Sequence, residues 1–171
     1  MTTHTVILTR HAKAASTAPG TDDKRPLSDL GVAQAKELGV KLSDKIKEVD
    51  TVFVSPALRA QQTWDAMAEG AGLAQADMPR VRVDQVLYSG SPEQILQAVR
   101  LESTGYSSLV IGHEPTISAT AVLMVREGEA SEVQWGMPTG SAVILEWSRN
   151  WKEWHSHVAT ITDLVHVPVN R

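Results

Sequence analysis

Four short apolar, β-branched runs alternate with stretches that carry helical spacing or helix-start signals, and this alternation constrains the fold more than any other feature. Residues 5–9, 51–54, 81–83 and 107–111 read as strands, the third the weakest. After the first, Ser28 is placed to cap a helix whose Leu38, Leu42 and Ile46 recur at i+4 and which ends before Val49-Asp50. After the second, Ser55-Pro56 leads into a helix holding Leu58, Trp64 and Met67. After the third, Ser91 caps a helix with Pro92 at its first position and Ile95, Leu96 and Val99 on its apolar face. After the fourth comes Gly112-His113-Glu114-Pro115, then a helix over residues 116–125. Alternating strands and helices predict a parallel sheet covered on both faces. Residues 141–145 and the alternating stretch 155–164, joined through Ser148-Arg149-Asn150, read instead as a hairpin. The expected fold is α/β, a three-layer sandwich: a mostly parallel central sheet, helices on both faces, and an antiparallel C-terminal edge hairpin. At 171 residues, with 42% hydrophobic and 21% charged, residues 1–171 are expected to form one domain.

Ligands of such sheets bind beyond the carboxyl ends of the strands, so the residues following each strand are examined first. The first strand ends on Arg10-His11, the second leads to Arg59, and the fourth delivers His113 at the start of a helix. Two guanidiniums and two imidazoles on one rim suit an anion with several oxygens, because a guanidinium presents a planar fork to phosphate. One imidazole can attack phosphorus while the other hydrogen-bonds the equatorial oxygens. Residues 12–27 lack periodicity and are long for a connection in a compact domain, which predicts a lid over the pocket. Lys13 and Ser16 on this loop are candidate substrate-binding residues. His4, His155, His157 and His166 are expected to be structural or solvated, and Trp147, Trp151 and Trp154 to pack the sheet edge.

Other chemistries lack their residues. There is no Cys, which removes disulfides, thiolate metal sites and Cys nucleophiles. His113-Glu114 is followed by Ile117 where a zinc motif needs His, and no phosphate-loop, dinucleotide or nucleophile-elbow string occurs. No metal and no cofactor are expected. A net charge of -4 argues against nucleic acid as a partner. No membrane span or secretory h-region can be drawn, so no membrane partner and a cytoplasmic location are expected.

Four blocks resemble the histidine phosphatase superfamily, with its phosphoglycerate-mutase-like fold, and among its members the small SixA-like phosphohistidine phosphatases. They are Arg10-His11-Ala12-Lys13; Arg25-Pro26-Leu27-Ser28 with Gly31; Ser55-Pro56-Ala57-Leu58-Arg59-Ala60-Gln61-Gln62-Thr63; and Gly112-His113-Glu114-Pro115-Thr116. The resemblance covers residues 4–147. It implies His11 as nucleophile, Arg10 and Arg59 as clamps on phosphoryl oxygens, and His113 completing the pocket. Mutases and many phosphomonoesterases of the superfamily carry a Glu general acid after the third strand. Here that stretch reads Asp84-Gln85-Val86-Leu87-Tyr88-Ser89-Gly90. An alkoxide needs a proton to leave, whereas an imidazole, with an ordinary pKa near about 6.5, needs little help. The missing Glu favours phosphohistidine on a signalling protein as substrate, with Asp84 and Glu114 as the remaining candidate acids. A small-ester or nucleotide phosphatase and a non-catalytic phosphate-binding module are the competing readings.

Overall fold

The computed structural model describes residues 2–169 and contains one six-stranded sheet in the order β3-β2-β4-β1-β5-β6. The strands are β1 (His4–Arg10), β2 (Thr51–Val54), β3 (Arg80–Val83), β4 (Ser107–Gly112), β5 (Ser141–Trp147) and β6 (Thr160–His166). The first four pair in parallel, and β5 and β6 pair antiparallel along one side. The middles of the central strands are apolar because both faces are covered. Ile7, Val52, Leu109 and Ile144 point into one core, while Leu8, Phe53, Val110 and Val143 point into the other. Helices α1 (Asp29–Lys41) and α3 (Leu58–Gly70) close the first face, and α5 (Pro92–Glu102) and α6 (Thr116–Met124) the second.

The caps are those the sequence signals. Ser28 Oγ accepts the Gly31 N–H at 3.0 Å, and Ser91 with Gln94 forms a reciprocal capping box. Gly31 also lets α1 pass close to the preceding loop, since a Cβ there would overlap the Lys13 carbonyl oxygen. The single helix expected up to Ile46 is interrupted at Leu42, whose backbone (φ -101, ψ 12) departs from helical geometry. A four-residue helix α2 (Ser43–Ile46) follows, and Leu42 and Ile46 still reach the core.

The predicted hairpin pairs as expected, but its second strand begins at Thr160 rather than near His155. The connection is longer because Trp151 and Trp154 turn inward. Their rings lie 5.5 Å apart in the second core, Trp151 Nε1 donates to the Gly105 carbonyl at 2.9 Å, and the chain then bonds along the C-terminal end of α6. His4 is buried edge-on against Trp151, whereas His155, His157 and His166 are exposed. No helix is long and apolar enough to cross a membrane among the described residues.

Candidate active site

The carboxyl ends of β1, β2 and β4 lie side by side, with Arg10 in register with Gly112 and Val54 with Ile111. His11 follows β1 directly. Its N–H bonds the Gly112 carbonyl and its carbonyl accepts from Gly140, so the residue is fixed at the sheet rim. Thr63 on α3 secures the next residue, because its Oγ1 accepts the Ala12 N–H at 3.0 Å and donates to the Arg59 carbonyl at 2.7 Å.

Hydrogen bonding sets the tautomers of both imidazoles. The Ala12 carbonyl can only accept, so the 2.7 Å contact places a proton on His11 Nδ1 and leaves Nε2 unprotonated. Arg59 Nε–H points at that Nε2 from 3.4 Å. Arg59 Nη2 lies 3.3 Å from His113 Nδ1, which must therefore accept, and His113 Nε2–H donates to Ser55 Oγ at 2.8 Å. The two imidazole centroids are 5.0 Å apart. Arg59 is 5% exposed and bridges the pair. Arg10 Nη1 donates to the Met137 carbonyl at 2.8 Å, while its buried Nε–H has no acceptor among the described residues.

Both imidazoles are held neutral. Burial, with the guanidiniums of Arg59, Arg10 and Arg25, pushes His11 down to about 4. Burial, with charge on His11 and Arg59, pushes His113 down to about 3. The unfolded chain, with histidines near 6.5, therefore binds more protons in acid than the folded one does. The stabilisation is fully present above about pH 6.5 and is lost as pH falls towards 4; for His11 alone it is on the order of 3 kcal/mol. The thermal midpoint is accordingly expected to fall between pH 7 and 4.5. In a protein carrying His11→Asn and His113→Asn that acid slope should flatten, and an unchanged slope would refute the assignment.

Lys13 and Ser16 do not join the four. Lys13 works through its backbone: its N–H donates to Gln34 Oε1 at 2.9 Å and its carbonyl accepts from Ser28. Neither the Lys13 ammonium nor the exposed Ser16 hydroxyl makes a hydrogen bond to His11, Arg10, Arg59 or His113 among the described residues. Both candidate acids accept backbone N–H groups. Asp84 Oδ1 accepts the Val86 N–H at 3.0 Å, opening helix α4 (Val86–Ser89). Glu114 accepts from the Ser118 N–H, the Ser118 hydroxyl and the Met137 N–H.

Residues that the sequence does not single out complete the rim. Asp22 reaches Arg59, Arg25 and Tyr88, and the Tyr88 ring meets His113 edge-on at 5.4 Å. Buried Gln34 ties the loop after His11 to the Thr139 and Val167 carbonyls. Its only signal is an amide on the core-facing stripe of α1. Among the described residues no three His, Asp or Glu side chains are grouped to hold a metal ion.

A mostly parallel sheet whose rim gathers paired imidazoles and guanidiniums defines an α/β protein with a basic cluster at its strand ends. This chain belongs to the histidine phosphatase superfamily (branch 1), whose family model matches residues 6–82. An uncharacterized protein of Mycobacterium tuberculosis is 30% identical over 165 residues, 93% of this chain and 99% of the relative. Among solved structures, a candidate phosphohistidine phosphatase SixA from Nakamurella multipartitia is 29% identical, with a TM-score of 0.84 over 97% of both chains. A candidate SixA from Agrobacterium tumefaciens is 25% identical, with a TM-score of 0.79 over 96% of this chain and 98% of its own. These relationships support a phosphatase of the hydrolase class.

Proposed function

We propose that this chain, acting as one domain, is a metal-independent, cytoplasmic phosphohistidine phosphatase that takes its substrate from a partner protein. The observation that carries the reading is the bond from His11 Nδ1–H to the Ala12 carbonyl, which leaves Nε2 unprotonated beside the Arg59 fork. In the first step the Nε2 lone pair forms a bond to phosphorus as the bond from phosphorus to the substrate imidazole breaks. Arg10 and Arg59 hold equatorial oxygens, and His113 joins them by turning its Nε2–H from Ser55 Oγ to the third. The substrate imidazole, already protonated on its other ring nitrogen, leaves neutral and keeps the electron pair of the broken bond. In the second step water bonds to phosphorus as the bond to Nε2 breaks, the electron pair returns to Nε2, His11 keeps its Nδ1 proton, and the water protons leave with the phosphate.

The absence of a Glu in residues 84–90 supports the nitrogen-linked substrate, since an alkoxide leaving group would need an acid worth about 10²–10⁴ in rate, and Glu114 is occupied by the Ser118 and Met137 donors. One phosphate-release panel tests this, comparing a phosphohistidine protein, phosphoramidate, sugar phosphates and nucleotides, each with and without EDTA. The nitrogen-linked compounds should be hydrolysed with a kcat/KM at least about 10²-fold higher, with EDTA having no effect. A preference for a sugar phosphate or a nucleotide would establish the ester phosphatase instead. Activity lost to chelation and restored by Mg²⁺ or Zn²⁺ would refute metal independence.

A further inference from the structure

Every nitrogen of Arg59 is engaged, and the outward-facing ones are engaged by a single loop residue. Nε faces His11, Nη1 donates to the Asp22 carbonyl at 2.9 Å, and Nη2 donates to Asp22 Oδ2 at 2.9 Å while also lying against His113. The same carboxylate draws two more donors, Tyr88 O–H on Oδ2 at 2.9 Å and Arg25 Nη2 on Oδ1 at 3.2 Å. A guanidinium fork, a second guanidinium and a hydroxyl closing on one small anion is the coordination that phosphoryl oxygens attract.

The loop that presents Asp22 is anchored at its base. Ala14 pairs with Leu27, the Ala15 N–H bonds the Pro26 carbonyl, and Arg25 Nη1 donates to the Ala15 carbonyl. Asp22 opens the short 3₁₀ turn Asp22–Lys24 at the far end of this stem. As an ordinary surface ion pair it would be unremarkable on one side only: the Asp22 side chain is 54% exposed, but that of Arg59 is 6% exposed. A buried guanidinium next to the proposed nucleophile has its outward donors closed by an acidic residue of this chain.

We propose that Asp22 is a specificity-determining residue whose carboxylate occupies the phosphoryl subsite in the free protein, so that a substrate enters by exchanging with it at Arg59, Arg25 and Tyr88. The inference rests on the phosphate-site reading above. A phosphoryl dianion brings a third oxygen and a second charge to the Arg10 and Arg59 guanidiniums, and so it gains by the exchange. A carboxylate or a phosphodiester monoanion offers no more than Asp22 already does and is excluded. Exchange also frees Arg25 and Tyr88 to contact the bound group.

Calorimetric titration of the full chain with inorganic phosphate and with dimethyl phosphate tests this, using Asp22→Asn, Asp22→Ala and the neighbouring Asp23→Asn. Both Asp22 variants should bind phosphate about 1.5- to 5-fold more tightly than the parent, the range an ion pair with one exposed partner is worth, and should gain measurable affinity for dimethyl phosphate. Asp23→Asn should match the parent, which separates exchange at the subsite from a general change in charge. Asn nearly matches Asp in shape, and a melting curve will verify that the variants are folded. If the parent binds phosphate and the folded Asp22 variants bind it equally or less well, the inference fails and the phosphate site stands. If no protein of the set binds phosphate, both fail.

Discussion

Arg59→Ala is expected to lower kcat by about 10³-fold or more while changing KM comparatively little. Charge in phosphoryl transfer spreads over the equatorial oxygens as the transition state forms, and a guanidinium positioned there is worth about 10³–10⁵ in rate. Arg59 is positioned by its surroundings: its carbonyl accepts from Thr63, its side chain is buried, and its Nε and Nη2 face the two imidazoles. The substitution also removes the contact to Asp22, which should ease ground-state entry and makes a rise in KM alone still less expected. After burial, the Arg59 charge is the largest influence lowering the His11 pKa, so Arg59→Ala should move the acid limb of the activity profile upward. Arg59→Lys keeps the charge and loses the fork, so it should restore the pH profile better than the rate. If Arg59→Ala raises KM and leaves kcat intact, Arg59 is a ground-state ligand and the clamp assignment is wrong.

The sheet and the rim were legible in the sequence for the same reason. Buried parallel strands must be apolar over their whole length, so their ends are marked by the first polar residue, and in β1 and β4 that residue or its neighbour faces the pocket. Arg10, His11 and His113 stand at such ends, and Arg59 lies in the first turn of the following helix. Residues on loops carried no such mark. Asp22 acquires its contacts only because the stem Ala14–Leu27 folds back across the rim, and no periodicity encodes that path. Tyr88 lies on a four-residue helix too short to show a helical repeat, and its meeting with Asp22 spans 66 residues.

Adjacency misled in the opposite direction for Glu114. It follows His113 in the chain, yet it takes up the Ser118 and Met137 amides, donors at the start of α6 and in the loop before β5. The Met137 carbonyl in turn receives Arg10, so the carboxylate that sequence proximity suggested as an acid instead braces a clamp residue from behind. Leu42 and the late start of β6 are local departures of a different kind. In both, large apolar side chains reach the core by bending the backbone away from a regular element.

His11→Ala is expected to abolish turnover, with a loss of about 10⁴–10⁶-fold, since no second nucleophile stands beside the Arg59 fork. His113 is placed differently: burial keeps it neutral, its Nδ1 accepts from Arg59, and its one N–H donates to Ser55, so it can donate to a phosphoryl oxygen only by turning that proton away from Ser55. The covalent step makes a sharper claim than the loss of rate. Because His11 Nδ1 carries a proton bonded to the Ala12 carbonyl, phosphorus can be accepted only at Nε2. Rapid quenching during turnover of labelled phosphoramidate, under conditions that avoid acid, should trap a phosphoenzyme that is stable in base and labile in acid. Peptide mapping should place the label on His11, and phosphorus resonances should identify the Nε2 isomer. His11→Ala should carry no label, whereas Asp22→Asn, which leaves the nucleophile untouched, should still carry it. A label on His113 or at Nδ1 of His11, or full turnover through which His11 is never labelled, would overturn the proposed mechanism.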